Sequence, residues 1–157
     1  MLNESHALFD LIAEELESSI PKSRIDRIHE EALGAAREYR RAETKLLRVL
    51  QDVDICRAYL HLGAKSLFEY CTTLLGLSES VAYNFITVSR KAREVPKLQD
   101  EIESGRLSVS MARKIAPVLT PENQEHWIER AKTQTQKELE REVAKVSPAK
   151  AKRERRR

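Results

Sequence analysis

Glycine is scarce in this chain, with four residues among 157, aromatic side chains make up 5% and there are two cysteines. Together with the lack of strict apolar–polar alternation, this disfavours sheet architectures and leans the chain toward helix. Cys56 and Cys71 form neither a Cys-x-x-Cys pair nor a zinc spacing. Two reduced thiols in an intracellular protein is the plain reading, and nothing supports an oxidised pair. No apolar run approaches the roughly 20 residues needed to span a bilayer. Glu4, Asp10, Glu14, Glu15 and Glu17 make the N-terminus acidic, where a signal peptide needs a basic start and an apolar stretch. A glycine-rich phosphate loop, a nucleophile elbow and a Ser/His/Asp arrangement are all missing. The four histidines, His6, His29, His61 and His126, lie far apart in the sequence without ligand spacing. The expectation is a cytoplasmic protein without an enzyme active site, metal, cofactor, small-molecule substrate or membrane partner.

Charge, by contrast, is abundant and unevenly placed. Lys, Arg, Asp and Glu make up 34% of the chain, for a net charge of +3. Residues 1–35 carry three basic residues against eight acidic ones, a net −5, so the remainder carries +8. Residues 147–157 supply +5 of that, from six basic residues and Glu154. An acidic head and a basic rear point to a polyanion partner at the rear.

The helical pattern comes in punctuated pieces. Leu8, Leu11, Ile12 and Leu16 share one face of a first helix over about 3–19, which Pro21 ends; Ser23 is placed to cap the next. A long second helix is predicted over about 24–62. Its stripe of Ile25, Ile28, Ala32, Ala35, Tyr39, Ala42, Leu46, Val49, Val53, Cys56 and Leu60 alternates three- and four-residue steps, a heptad pattern. The part from Ile25 to Leu46, with alanines that admit a close neighbour, is the candidate homodimer seam; packing within the chain is the alternative. Gly63 sits where a helix C′ residue belongs. Further on, Ser66-Leu67-Phe68-Glu69 and Thr135-Gln136-Lys137-Glu138 read as capping boxes. Gly76 ends a helix, Ser78 caps the next to about Arg93, Pro96 opens a short helix ending at Gly105, and Ser108 opens another that Pro117 stops. Thr120-Pro121-Glu122 reads as an N-cap, a first-turn proline and an acid. The last helix fades by Ser147-Pro148.

The segment from Phe68 to Thr87 has the spacing of a helix-turn-helix, two short helices joined steeply through a glycine turn. Cys71 and Leu75 are expected to face inward before Gly76, Leu77 to plug the turn, and Ala82 and Phe85 to anchor the second helix. The other side of that helix then holds Ser78, Glu79, Ser80, Tyr83, Asn84 and Thr87, the positions that reach base edges in a major groove. Arg90, Lys91 and Arg93 lie further along, suited to backbone phosphates. An ordinary helical hairpin with a glycine turn has the same pattern, and Glu79 sits where phosphates would repel it.

Two resemblances bear on that choice. The order Leu75-Gly76-Leu77-Ser78, then Gly105-Arg106-Leu107-Ser108, then Ala112-Arg113 resembles the helix-turn-helix neighbourhood of ParB-type partition proteins, over Leu74 to Ala116. Over about 43–146, the phrases Ser66-Leu67-Phe68-Glu69-Tyr70-Cys71, Leu75-Gly76-Leu77-Ser78-Glu79 and Leu119-Thr120-Pro121-Glu122-Asn123-Gln124 with Trp127 resemble the N-terminal helical region of bacterial HNH endonuclease-like proteins. That resemblance implies a DNA-binding region preceding a nuclease domain. The nuclease would begin where the chain reaches Arg157, and its closely placed histidines have no counterpart, so nuclease activity is not carried over; a fragment and a shortened relative are both open.

The expectation is therefore an all-α protein in three parts. Residues 1–62 form a helical hairpin with the long helix, 63–147 a compact multi-helix domain containing the helix-turn-helix, and 148–157 a basic tail. Its partner is double-stranded DNA and its place the nucleoid, with Lys150, Lys152 and Arg153 either an electrostatic arm or a solvated end. The rival reading is a helical dimerisation or adaptor module that binds another protein. Trp127, Tyr59, Tyr70 and Phe68 are expected in the core.

Overall fold

The computed structural model describes residues 7–13, 15 and 21–147, all in helices and their connections. The protein is all-α: no strand occurs among the described residues. Residues 7–13 and 15 are helical; Leu16 and the turn expected before Pro21 lie outside the described residues, as does the expected basic tail. The chain divides into two compact units, residues 1–39 and 40–157.

The long helix α1 spans Lys22–Cys56 and contributes to both units. It begins before Ser23, its first turn closed by Arg24 and Ile25 N–H groups donating to the Pro21 carbonyl, so Ser23 lies inside the helix and not at its cap. In the first unit Ile25, Ile28, Ala32, Ala35 and Tyr39 are exposed. In the second, the core takes Leu47 and Leu50, with Leu46 and Val53 packed against it. Val49, on the expected stripe, is 44% exposed. A strict seven-residue repeat drifts about 20° per heptad around a straight α-helix, which carries the column Ile28, Ala35, Ala42, Val49 away from the face that Leu47 and Leu50 present. Leu46 is thereby committed to the core of its own chain. The division expected at residue 62 is also displaced, since Leu47 and Leu50 belong to the core of the second unit.

Nor does α1 reach residue 62. It ends at Cys56, where Arg57 turns left-handed (φ 50°, ψ 35°), and a single turn α2, Ala58–His61, follows. Gly63 then closes that turn at φ 85°. The short α3, Leu67–Glu69, starts on Ser66, whose hydroxyl accepts the Glu69 N–H; the Glu69 carboxylate returns to the N–H of Lys65 and not of Ser66. A π-helical turn, Tyr70–Leu74, continues it. There the Leu75 N–H reaches back five residues to the Tyr70 carbonyl, and this wider turn rotates Leu75 outward. Leu75 is 40% exposed, against the expectation, while Cys71 is fully buried and Leu77 packs on the core. Gly76 makes the turn at φ 69°, a conformation glycine adopts without a Cβ clash.

Helix α4, Glu79–Glu94, follows with the Ser78 hydroxyl accepting the Val81 N–H. Helix α5, Pro96–Glu103, starts on its proline, and α6, Val109–Ile115, on the Ser108 hydroxyl. Helix α7, Gln124–Thr133, begins three residues later than expected. Thr120 to Asn123 form a tight turn instead, in which the Asn123 side chain accepts the Thr120 N–H and donates to the Val118 carbonyl. Helix α8, Gln136–Val146, opens on a complete capping box between Thr135 and Glu138. The seven-residue α6 packs against α4, α7 and α8, making it the centre of the bundle. Around it one cluster joins Phe85 and Val88 of α4, Leu98 and Ile102 of α5, Ile115, Leu119, Trp127, Ile128 and Leu139. Tyr59 and Tyr70 pack on its edge, whereas Phe68 is exposed. No helix among the described residues is long and apolar enough to cross a membrane.

Candidate nucleic-acid interface

Helix α4 has two sharply different sides. Ala82, Phe85, Val88, Ser89 and Ala92 are buried. Ser89 is polar but satisfied: its hydroxyl donates to the Ile86 carbonyl, and its own carbonyl accepts from Gln51 of α1. On the other side Ser78, Glu79, Ser80, Tyr83, Arg90 and Arg93 are exposed, with Asn84, Thr87 and Lys91 half-buried. The expected anchors Ala82 and Phe85 are buried, while three of the residues expected on the other side, Asn84, Thr87 and Lys91, are partly covered.

Three features qualify the chemistry of that surface. First, the Ser78 hydroxyl is occupied as the helix cap and lies 3.4 Å from the Ser80 hydroxyl. Second, Tyr83 is the face of a cation–π contact: the Arg113 guanidinium of α6 sits 4.6 Å above its ring. Arg113 belonged to the sequence phrase Ala112-Arg113, but nothing in the spacing tied it to Tyr83. Third, the expected phosphate-binding cations have acidic partners. Lys91 pairs with Glu94 at 2.7 Å, one turn along the same helix. Arg90 grips Asp54 of α1 with two parallel bonds of 3.0 Å, and Arg93 adds a third at 3.3 Å.

Asp54 is thus a junction between α1 and α4. Its side chain is 11% exposed, while those of Arg90 and Arg93 remain about half exposed. The Arg90 hydrogen bonds hold the Asp54 carboxyl below the usual carboxylate range, and the charges of Arg93 and Arg57 add to that lowering. Two donors from Arg90 and one from Arg93 converge on this one carboxylate, whose charge they outnumber. Sequence reasoning missed Asp54, because residues 36 and 39 positions apart carry no local signal of pairing.

Lys150, Lys152 and Arg153 lie outside the described residues. Among the described residues, no group of three or more His, Cys, Asp and Glu side chains could hold a metal ion. Both cysteines are free, Cys56 exposed and Cys71 buried, and burial pushes the Cys71 thiol up from its ordinary value. No protein-family model, curated protein or solved structure matches the chain.

Proposed function

We propose that the 40–157 unit binds double-stranded DNA through a helix-turn-helix in which α4 is the recognition helix. The observation that carries this reading is the two-sided character of α4. Set on the Gly76 turn and anchored by Ala82 and Phe85, it leaves Ser80 and Tyr83 exposed, with Thr87 half-buried beside them, and Arg90 and Arg93 exposed further along the same helix. Side chains in the first half reach base edges, with Asn84 at the margin, while the arginines contact the phosphate backbone. The distance suits this division. Ser80 to Arg90 spans about 15 Å of helix at 1.5 Å per residue, against a major groove roughly 12 Å wide.

Fluorescence anisotropy with labelled random duplexes tests the reading, comparing the full chain with one ending at Ser147. Both chains are expected to bind, with log affinity falling steeply against log salt. Binding by the full chain alone would assign the effect to the basic tail, and absence of binding by either would remove DNA from the account.

A second copy of this chain is the proposed occupant of the exposed α1 stripe, Ile25, Ile28, Ala32, Ala35 and Tyr39. Their three- and four-residue steps make a seam whose alanines admit a close neighbour, and paired modules read paired half-sites. Ala42 extends that seam, and Leu46 does not, being packed on its own core. Sedimentation velocity should show a concentration-dependent dimer that Ile28→Glu converts to monomer. A wild-type chain that stays monomeric at high concentration sinks the dimer and leaves the DNA reading untouched.

A further inference from the structure

Among the described residues, four have a left-handed backbone. Three are glycines, Gly63, Gly76 and Gly105, with φ between 69° and 85°; the fourth is Arg57 at φ 50°. Glycine adopts this region freely, whereas an L side chain crowds its own backbone there. A non-glycine residue held in such a conformation points to what its side chain does. Packing does not account for Arg57, which is exposed.

Its surroundings do. The Arg57 N–H donates to the Asp54 carbonyl at 3.3 Å, so the residue directly follows the turn that carries Asp54. Asp54 in turn holds Arg90 and Arg93 of α4. Arg57 thus lies three residues along the chain from Asp54, and its charge is among those that lower the Asp54 carboxyl. Three arginines and one carboxylate at this meeting of α1 and α4 carry a net +2. Asp54 fixes two of them, while their remaining N–H groups stay accessible from solvent. A planar guanidinium with spare donors matches the two free oxygens of a phosphodiester.

We propose that Arg90 and Arg93, held by Asp54, and Arg57, three residues beyond Asp54, form a single clamp for one stretch of DNA phosphate backbone, with Arg57 the member supplied from outside the helix-turn-helix. This inference rests on the DNA-binding reading of α4. The clamp makes the end of α1 part of the DNA surface, and it explains an arginine where the chain otherwise places glycine. It carries affinity without sequence information, because phosphates are common to all duplexes.

The test pairs binding with folding, using the full-length chain, labelled duplex DNA and the variants Arg57→Gly and Arg57→Lys. Arg57→Gly relieves the left-handed backbone, so its thermal midpoint should be no lower than that of the wild type. Its affinity should nevertheless fall about 5–10-fold at 0.1 M salt for every duplex alike, with the salt slope reduced by about one. Arg57→Lys keeps the charge and the backbone strain, and should hold the wild-type salt slope. Unchanged binding by Arg57→Gly overturns the clamp and leaves the α4 reading standing. Affinity that falls together with the thermal midpoint also overturns it, by making Arg57 a structural residue. A wild-type chain that binds no duplex at any salt removes the reading and the clamp together.

Discussion

Leu50→Ala should lower the unfolding free energy of the 40–157 unit by about 2–5 kcal/mol, whereas Val49→Ala, one residue away, should change it by less than about 0.5 kcal/mol. Leu50 is fully buried in one cluster with Val88, Leu98 and Ile115. Removing its branched end leaves a cavity that neighbours on several helices cannot all collapse into, so the lost transfer energy and the cavity add. Val49 faces solvent and loses almost nothing. Urea unfolding followed by circular dichroism measures both. The contrast decides which face of α1 the domain uses, because the heptad stripe would centre the buried face on Leu46, Val49 and Val53 and leave Leu50 at its flank. A larger loss for Val49→Ala than for Leu50→Ala would reverse the face. The same contact explains why a chain starting at residue 63 should not keep the native state: Leu47 and Leu50 are interior residues of the domain such a chain would be meant to contain.

Which features were legible in the sequence follows from the range of the interactions that set them. Helix starts at Ser78, Ser108 and Thr135 were legible because a cap is a contact within three residues, and all three hydroxyls accept the expected backbone N–H. Turns at Gly76 and Gly105 were legible because the backbone there needs glycine's freedom. Thr120 misled for a reason of the same range. Asn123, three residues on, ties the segment into a turn by accepting the Thr120 N–H and donating to the Val118 carbonyl, and the helix starts only at Gln124. The break at Arg57 had no marker, being neither glycine nor proline, and the π turn at Tyr70–Leu74 shows no residue type that announces it. On the candidate site, the accessible side of α4 followed from apolar periodicity alone. The partners of its cations did not: Arg113 meets Tyr83 only because α6 packs against α4, and Asp54 meets Arg90 and Arg93 only because α1 shares the core cluster with α4.

Glu101→Ala should cost about 1.5–3 kcal/mol and lessen the sensitivity of the fold to acid. Glu101 is a nearly buried carboxylate on α5. It accepts two bonds from Arg106, at 2.9 and 3.3 Å, and pairs with Lys132 of α7 at 3.4 Å. It therefore ties α5, the Gly105 turn and α7 together. Losing one partner of a fully buried pair costs about 3–5 kcal/mol. Here the Arg106 side chain is more than half exposed and recovers water when the acid is removed, which brings the expected loss down to the scale of hydrogen bonds to a charged group, about 1.5–3 kcal/mol. The pH dependence follows from direction. The Arg106 hydrogen bonds, with Lys132 adding to them, hold the Glu101 carboxyl below the ordinary range, as Arg90 does for Asp54. A carboxyl lowered in the folded state contributes stability that is fully present above about pH 5 and is lost as the pH falls through the ordinary carboxylate range toward the folded value. Glu43 works the other way, since burial raises it, but among the described residues Glu101, Asp54 and Glu103 are all lowered. Stability measured by urea unfolding between pH 7 and 3 should therefore fall with acid in the wild type. It should fall less steeply in Glu101→Gln, which keeps the shape of the side chain but cannot titrate. Parallel curves for the two chains would mean that Glu101 is not one of the groups through which acid unfolds the protein.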